Sequence, residues 1–237
     1  MKGLVVHAQQ GCRASYRPIS TALCQNADPR AVIDALLSLY PFMTLYIADL
    51  DALMHCGSNH ALIGRLTQAY PDLRFWIDQG LTGGTIELPE QRNRIAVIGS
   101  ESLESETVPL LAQSRRQLIL SLDYSAGRLL GPRSLLDQSE VWPGTVIIMN
   151  LSRVGTNEGP DLWQLERFIR QWPEKNFVAA GGVRGKQDLV RLDALGVNAV
   201  LVANALHNGQ LDASVVSRLN MNGYTIEPPT ATPNRPG

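Results

Sequence analysis

The chain has 237 residues, 44% hydrophobic and 18% charged, which suits one large α/β domain or two small ones and does not suit a disordered chain. Its 21 Lys and Arg face 22 Asp and Glu, so no cationic excess exists to neutralise a nucleic-acid backbone. No run nears the roughly 18 apolar residues of a membrane span, which leaves no membrane partner in view.

The N-terminus, MKGLVVHAQQGC, holds an apolar run too short for a signal-peptide core, so a cytoplasmic location is expected. Cys12, Cys24 and Cys56 are odd in number and form no CxxC, which argues against a disulfide framework.

In chain order, residues 4–8 (LVVHA) are a candidate strand. Asp28-Pro29 before AVIDALLSLY reads as an N-cap, a first-turn proline and an amphipathic helix. Short apolar runs follow at 45–48 (LYIA, then Asp49), 74–77 (RFWI, then Asp78), 95–98 (IAVI, then Gly99) and 118–122 (LILSL, then Asp123). The run at 146–149 (VIIM) ends at Asn150. Asp161 then opens a helical stretch with apolar residues at 162, 165, 168, 169 and 172. Residues 177–180 (FVAA) end at Gly181-Gly182, residues 186–195 read as a helix stopped by Gly196, and 199–202 (AVLV) end at Ala203-Asn204. Apolar runs without alternation predict strands buried on both faces, as in a parallel sheet. The last ten residues hold four prolines, so 221–237 reads as a flexible tail after a single domain spanning 1–220.

The two halves of the chain resemble one another at an offset of about a hundred residues. YIADLD at 46–51 aligns with IIMNLS at 147–152, and DQGL at 78–81 with AGGV at 180–183. Gly99-Ser100 has Ala203-Asn204 as its counterpart. A doubled (βα)4 unit predicts an α/β fold of (β/α)8 TIM-barrel type with a two-fold half-barrel repeat. The doubly wound alternative wants a glycine-rich turn after its first strand, and Gln9-Gln10-Gly11 is a poor one.

Barrel chemistry sits at the C-terminal ends of the strands. The candidates are therefore Asp49, Asp78, Gly99-Ser100, Asp123, Asn150, Gly181-Gly182 and Ala203-Asn204. A single strand-end Asp can be no more than an N-cap, whereas several on one face can tune one another for acid and base work. Gly181, Gly182, Ala203 and Asn204 form a candidate phosphate cradle. Gly80, Gly99 and Ser100 are its repeat-related counterpart, so phosphate at both ends of a ligand is an expectation. His55, Cys56 and His60 match no common zinc spacing, and no metal or other cofactor is expected. His7 and His207 read as packing or capping residues. Trp142, Trp163 and Trp172 read as core and rim.

The half-repeat, SLD at 121–123, GGV at 181–183 and ALHNG at 205–209 together resemble the ProFAR isomerase-related barrels of histidine-biosynthesis type. YIADLDAL at 46–53, SRVGTNEG at 152–159, and VVHA at 5–8 followed by YRPI at 16–19 resemble, more closely, a poorly characterised branch found in archaea and methylotrophic bacteria. The resemblance covers nearly the whole chain except the tail.

The resemblance implies an aminoaldose-to-aminoketose rearrangement driven by two aspartates, at the ends of strands one and five. Asp123 matches the second. The first has no match: if LVVHA is strand one, its position falls near Gln10, an amide that exchanges no proton near neutrality. In a second register Met1-Lys2-Gly3-Leu4-Val5-Val6 matches the segment after strand one, and the first strand is missing or replaced. The DGT after strand six is altered to Val154-Gly155-Thr156.

The resemblance therefore implies a barrel that binds a small phosphorylated, sugar-like metabolite or acts on it as an isomerase or lyase, by acid/base chemistry without metal. Asp123 would be the acid or base and Asp49 its possible partner. The resemblance to the methylotroph branch, which tends to accompany pterin-type one-carbon coenzyme synthesis, implies a place in tetrahydromethanopterin or methanofuran synthesis. Genuine ProFAR isomerase is one alternative, and a non-catalytic phosphate-binding or assembly protein is another. A barrel lacking a strand exposes two sheet edges, so a homo-oligomer is a further expectation.

Overall fold

The computed structural model describes residues 1–221 except 82, 87 and 115–117. The expected tail lies outside the described residues beyond Met221. A two-residue antiparallel pair opens the chain, β1 (Val6–His7) against β2 (Arg17–Pro18). Then come helix α1 (Pro29–Leu39), strand β3 (Thr44–Ala48), α2 (Leu50–Leu53), α3 (His60–Ala69), β4 (Arg74–Asp78), β5 (Arg94–Gly99), α4 (Leu110–Ser114) and β6 (Leu118–Ser125). Short β7 (Arg128–Leu129) and α5 (Ser134–Asp137) lead to β8 (Thr145–Asn150) and α6 (Leu162–Gln171). The chain continues through β9 (Asn176–Ala180), α7 (Lys186–Ala194), β10 (Ala199–Leu201), α8 (Asn204–His207) and α9 (Ala213–Met221).

The strands pair in the order β10-β9-β8-β6-β5-β4-β3, every neighbour parallel, with β7 folded back antiparallel on β6. Seven parallel strands with intervening helices form the nearly closed wall of a (β/α)8-type barrel. The seven expected runs fall in these strands, except that β10 ends at Leu201 and leaves Val202 outside it. Residues 4–8 do not supply the eighth. Val6 pairs with Pro18 and His7 with Arg17, so this segment lies on a separate ribbon and not in the barrel wall. Among the described residues nothing pairs the free edges of β3 and β10. A cavity of about 630 Å³ runs from the barrel mouth to that opening, lined by all of β3 and β10 and by Leu4, Val5 and Val6.

Period-2 geometry explains why the strands carry unbroken apolar runs. Trp76, Val97, Ile119, Ile147 and Val178 meet inside the barrel. Their neighbours Phe75 and Ile77 pack outward with Ile33 of α1 and Ile63 and Leu66 of α3. On the opposite wall Leu120, Leu122, Val146, Ile148 and Phe177 pack against Leu165 and Phe168 of α6, Leu192 of α7 and fully buried Trp142. Trp163, by contrast, is exposed on the outer face of α6.

Local signals set the helix starts. The Asp28 side chain accepts from the Arg30 and Ala31 amides with Pro29 in the first turn, and Asp161 accepts from Gln164 N. Gly196 follows α7 at φ +82°, where a side chain would be strained. No helix among the described residues is long and apolar enough to cross a membrane.

Candidate active site

The same two-residue step that puts Trp76 and Val97 inside the barrel puts Asp78 and Gly99 inward at the strand ends. From Ile119 two such steps reach Asp123. Asp78 is 3% exposed and Asp123 4%, so both carboxyls are buried at the barrel mouth. A Cβ on Gly99 would stand 2.7 Å from Asp123 Oδ2 and 3.3 Å from Asp78 Oδ2. The two carboxyls therefore converge on the bare Cα of Gly99, where any side chain would collide with them.

Each carboxyl is held. Asp123 Oδ1 accepts from Ser121 Oγ at 2.6 Å and Oδ2 from the Glu101 amide at 3.3 Å. The Asp123 amide donates to Ser100 Oγ. Asp78 accepts from the Gly80 amide at 3.1 Å and from the Tyr46 hydroxyl at 3.3 Å. Glu101 stands beside both and is ion-paired with Arg13, which reaches over from the N-terminal loop. That loop is fixed to the opposite side of the mouth by Gln10 N donating to Val154 O at 2.8 Å.

These surroundings set the protonation states. Burial, then the Asp78 charge, then Glu101, against the Ser121 hydrogen bond, push Asp123 up to about 8. Burial is also the first cause for Asp78, with Glu101 raising and the Gly80 amide, Tyr46 and Arg13 lowering, and it goes up to about 7. Burial, then Asp78 and Asp123, hold the Tyr46 hydroxyl well above its ordinary value, so it stays a donor. Near neutral pH the pair therefore holds a proton and an anionic oxygen side by side, the arrangement that acid/base exchange needs.

The sequence-derived candidates separate. Asp123 sits at the centre. Asp49 lines the mouth, but its oxygens accept from Asn59 N and Nδ2, both at 2.7 Å, and from Ala52 N at 3.4 Å. Asn59 Nδ2 also reaches Asp51, whose carboxylate receives the Lys2 amide. This network anchors the loop after β3 to the N-terminal segment. Gly181, Gly182, Ala203 and Asn204 line the cavity. Gly80, Gly99 and Ser100 lie behind the acidic pair as its supports.

A Cβ on Gly181 would come within 2.4 Å of Asn150 O, and one on Gly182 within 2.4 Å of Gly159 O. The diglycine is therefore demanded by backbone packing as well as by any ligand. The backbone amides of Gly182, Val183 and Ala203 and the Asn204 side chain find no hydrogen-bond partner among the described residues. Trp76 Nε1, buried and on the cavity wall, likewise lacks an acceptor among them.

Asp78 is one of the strand-end candidates, but the sequence assigns it no role in the acid/base pair, and Tyr46, Glu101 and Arg13 are not among the candidates at all. Asp78 did carry a signal, since its counterpart in the repeat is Ala180. Glu101 and Arg13 carry none, because their contact crosses the mouth from a distant loop.

A parallel barrel with acid/base groups at its strand ends defines the class. A family model described as "Histidine biosynthesis protein" matches residues 135–212. The chain is 30% identical over 212 residues to an uncharacterized protein of Methanocaldococcus jannaschii, covering 88% of this chain and 90% of that one. It is 28% identical to a 1-(5-phosphoribosyl)-5-((5-phosphoribosylamino)methylideneamino)imidazole-4-carboxamide isomerase of Thermococcus kodakarensis, over 88% and 89% of the two chains. The isomerase of the same name from Myxococcus xanthus is 26% identical over 75% of this chain and 80% of its own. The chain belongs to the ProFAR isomerase-related family of barrels.

Proposed function

We propose that this protein is an acid/base isomerase of a small phosphorylated, sugar-like metabolite, with Asp123 and Asp78 as the proton-handling pair. The carrying observation is the convergence of the two buried carboxyls on Gly99. In a carbonyl or imine isomerisation the ionised member removes a proton from the carbon beside the C=X group. The protonated member gives its proton to X, and an enol or enamine results. Returning a proton to the other carbon and withdrawing one from the neighbouring heteroatom completes the rearrangement with no net gain or loss. Here Asp78 takes the partner role first expected of Asp49, whose oxygens are occupied by Asn59 and Ala52.

The resemblance to the archaeal and methylotroph branch supports placing this reaction in one-carbon coenzyme synthesis. The similarity to named histidine isomerases supports ProFAR isomerisation as the second reading. Deleting the gene in its own host separates the two. Loss of one-carbon growth with histidine prototrophy intact is the expected result, and rescue of a histidine isomerase auxotroph by this chain would establish the second reading instead. A non-catalytic role predicts that Asp123→Asn complements the deletion as well as the native gene does.

A further inference from the structure

The two halves of the mouth are related by the internal repeat, and the structure makes them chemically opposite. On the first-half side the Gly80 amide already donates to the Asp78 carboxylate. Ser100 Oγ accepts from the Asp123 amide, and the Glu101 amide donates to Asp123 Oδ2. Among the described residues four carboxyls, Asp49, Asp78, Glu101 and Asp123, line this side of the cavity, with Asp49 held by Asn59. Arg13, the cationic side chain that lines it among the described residues, is paired with Glu101. On the second-half side the Gly182, Val183 and Ala203 amides and Asn204 Nδ2 are open donors among the described residues, and no carboxylate accompanies them in Gly181–Val183 or Val202–Asn204. An oxyanion is therefore stabilised on one side and repelled on the other, since like charges at close range in a low-dielectric mouth cost heavily.

We infer that the substrate carries a single phosphate, held by the Gly182, Val183, Ala203 and Asn204 donors, and presents an uncharged or cationic hydroxyl- or amine-bearing end to Asp78, Asp123 and Glu101. This rests on the isomerase reading above and narrows its substrate class. It replaces the expectation, drawn from the repeat, of phosphate at both ends. The repeat conserves the strand-end geometry, but Asp78 stands where the second half has Ala180, and it turns a donor loop into an acceptor.

The experiment is calorimetric titration and thermal shift with ribose 5-phosphate and ribulose 1,5-bisphosphate, on the full chain, at about pH 9, where both carboxyls are ionised. The single phosphate is expected to raise the melting temperature and to bind at least about tenfold more tightly than the bisphosphate. Asp78→Asn, close in shape, should narrow that ratio by improving the bisphosphate alone. Asn204→Asp should weaken both ligands while leaving the unliganded melting temperature unchanged. Equal or tighter bisphosphate binding, unaffected by Asp78→Asn, would overturn the inference and leave the isomerase reading standing. No response to either sugar phosphate, or to inorganic phosphate, would overturn both.

Discussion

The loops after β4 and β5 and the loops after β9 and β10 sit on the same frame and do opposite work. In the first pair side chains dominate: Asp78 and Asp123 flank Gly99, and the local donors are turned onto them. In the second pair the backbone dominates, with glycines pressed against Asn150 O and Gly159 O and amides left open. A barrel of repeated units fixes where strand ends point, and a single substitution at a strand end sets the polarity of the group presented there. β6, which carries Asp123, joins the two repeats, pairing with β5 on one side and β8 on the other.

The contrast can be broken most forcefully at the acidic side. Asp123→Asn should lower turnover by roughly 10² to 10⁴-fold, and Asp78→Asn by a similar order, with folding intact by circular dichroism. Asp49→Asn should act mainly on stability. Losing turnover through Asp49 alone at an unchanged melting temperature would move the chemistry out of the first-half pair.

The glycine side should be the less tolerant of a methyl group. Gly182→Ala places Cβ within 2.4 Å of a backbone oxygen at φ +85°. It should cost on the order of 2–3 kcal/mol in urea unfolding. Gly80→Ala, facing the movable Ser102 hydroxyl at φ +66°, should cost about half of that. Equal costs would mean that the two loops are alike after all.

pH sharpens the comparison next. Asp123 and Asp78 hold their protons up to about 8 and about 7 in the folded state, well above the ordinary 3.8 of the unfolded chain. The folded state therefore binds more protons between those limits, and stability is greatest below about pH 4 with respect to these groups and falls as pH rises toward 8. Scanning calorimetry should show the melting temperature declining across that window, and Asp123→Asn should flatten the decline. An unchanged slope would mean that the carboxyl is not desolvated.

The smallest effect is expected at the Arg13–Glu101 pair, whose side chains are each about a fifth exposed. Arg13→Gln should cost less than about 1 kcal/mol. It should also move the limb of the pH–rate profile belonging to Asp78 to higher pH, because a cation that lowers it is gone. A profile that does not move would leave the loop with a structural role alone.

Much of this was legible in the residues. Unbroken apolar runs such as VIIM and FVAA announce strands buried on both faces, and Asp28 and Asp161 announce helix starts. The glycine loops and Asp123 follow from the rule that barrel strands deliver chemistry at their C-terminal ends. LVVHA misled because an apolar run carries no record of its partner, and here that partner is the ribbon at Arg17–Pro18.

The sequence by itself determined the barrel, its half-repeat and the end of it at which chemistry gathers, because burial and turn preferences act over a few residues and repeat along the chain. Only the tertiary structure decided that Asp78 and not Asp49 faces Asp123, that Tyr46 and Glu101 govern the pair, and that Arg13 crosses the mouth to reach it. Those relations depend on parallel strands bringing side chains tens of residues apart to within hydrogen-bond reach. At that range a shift of a few ångströms separates an acid from an anchor.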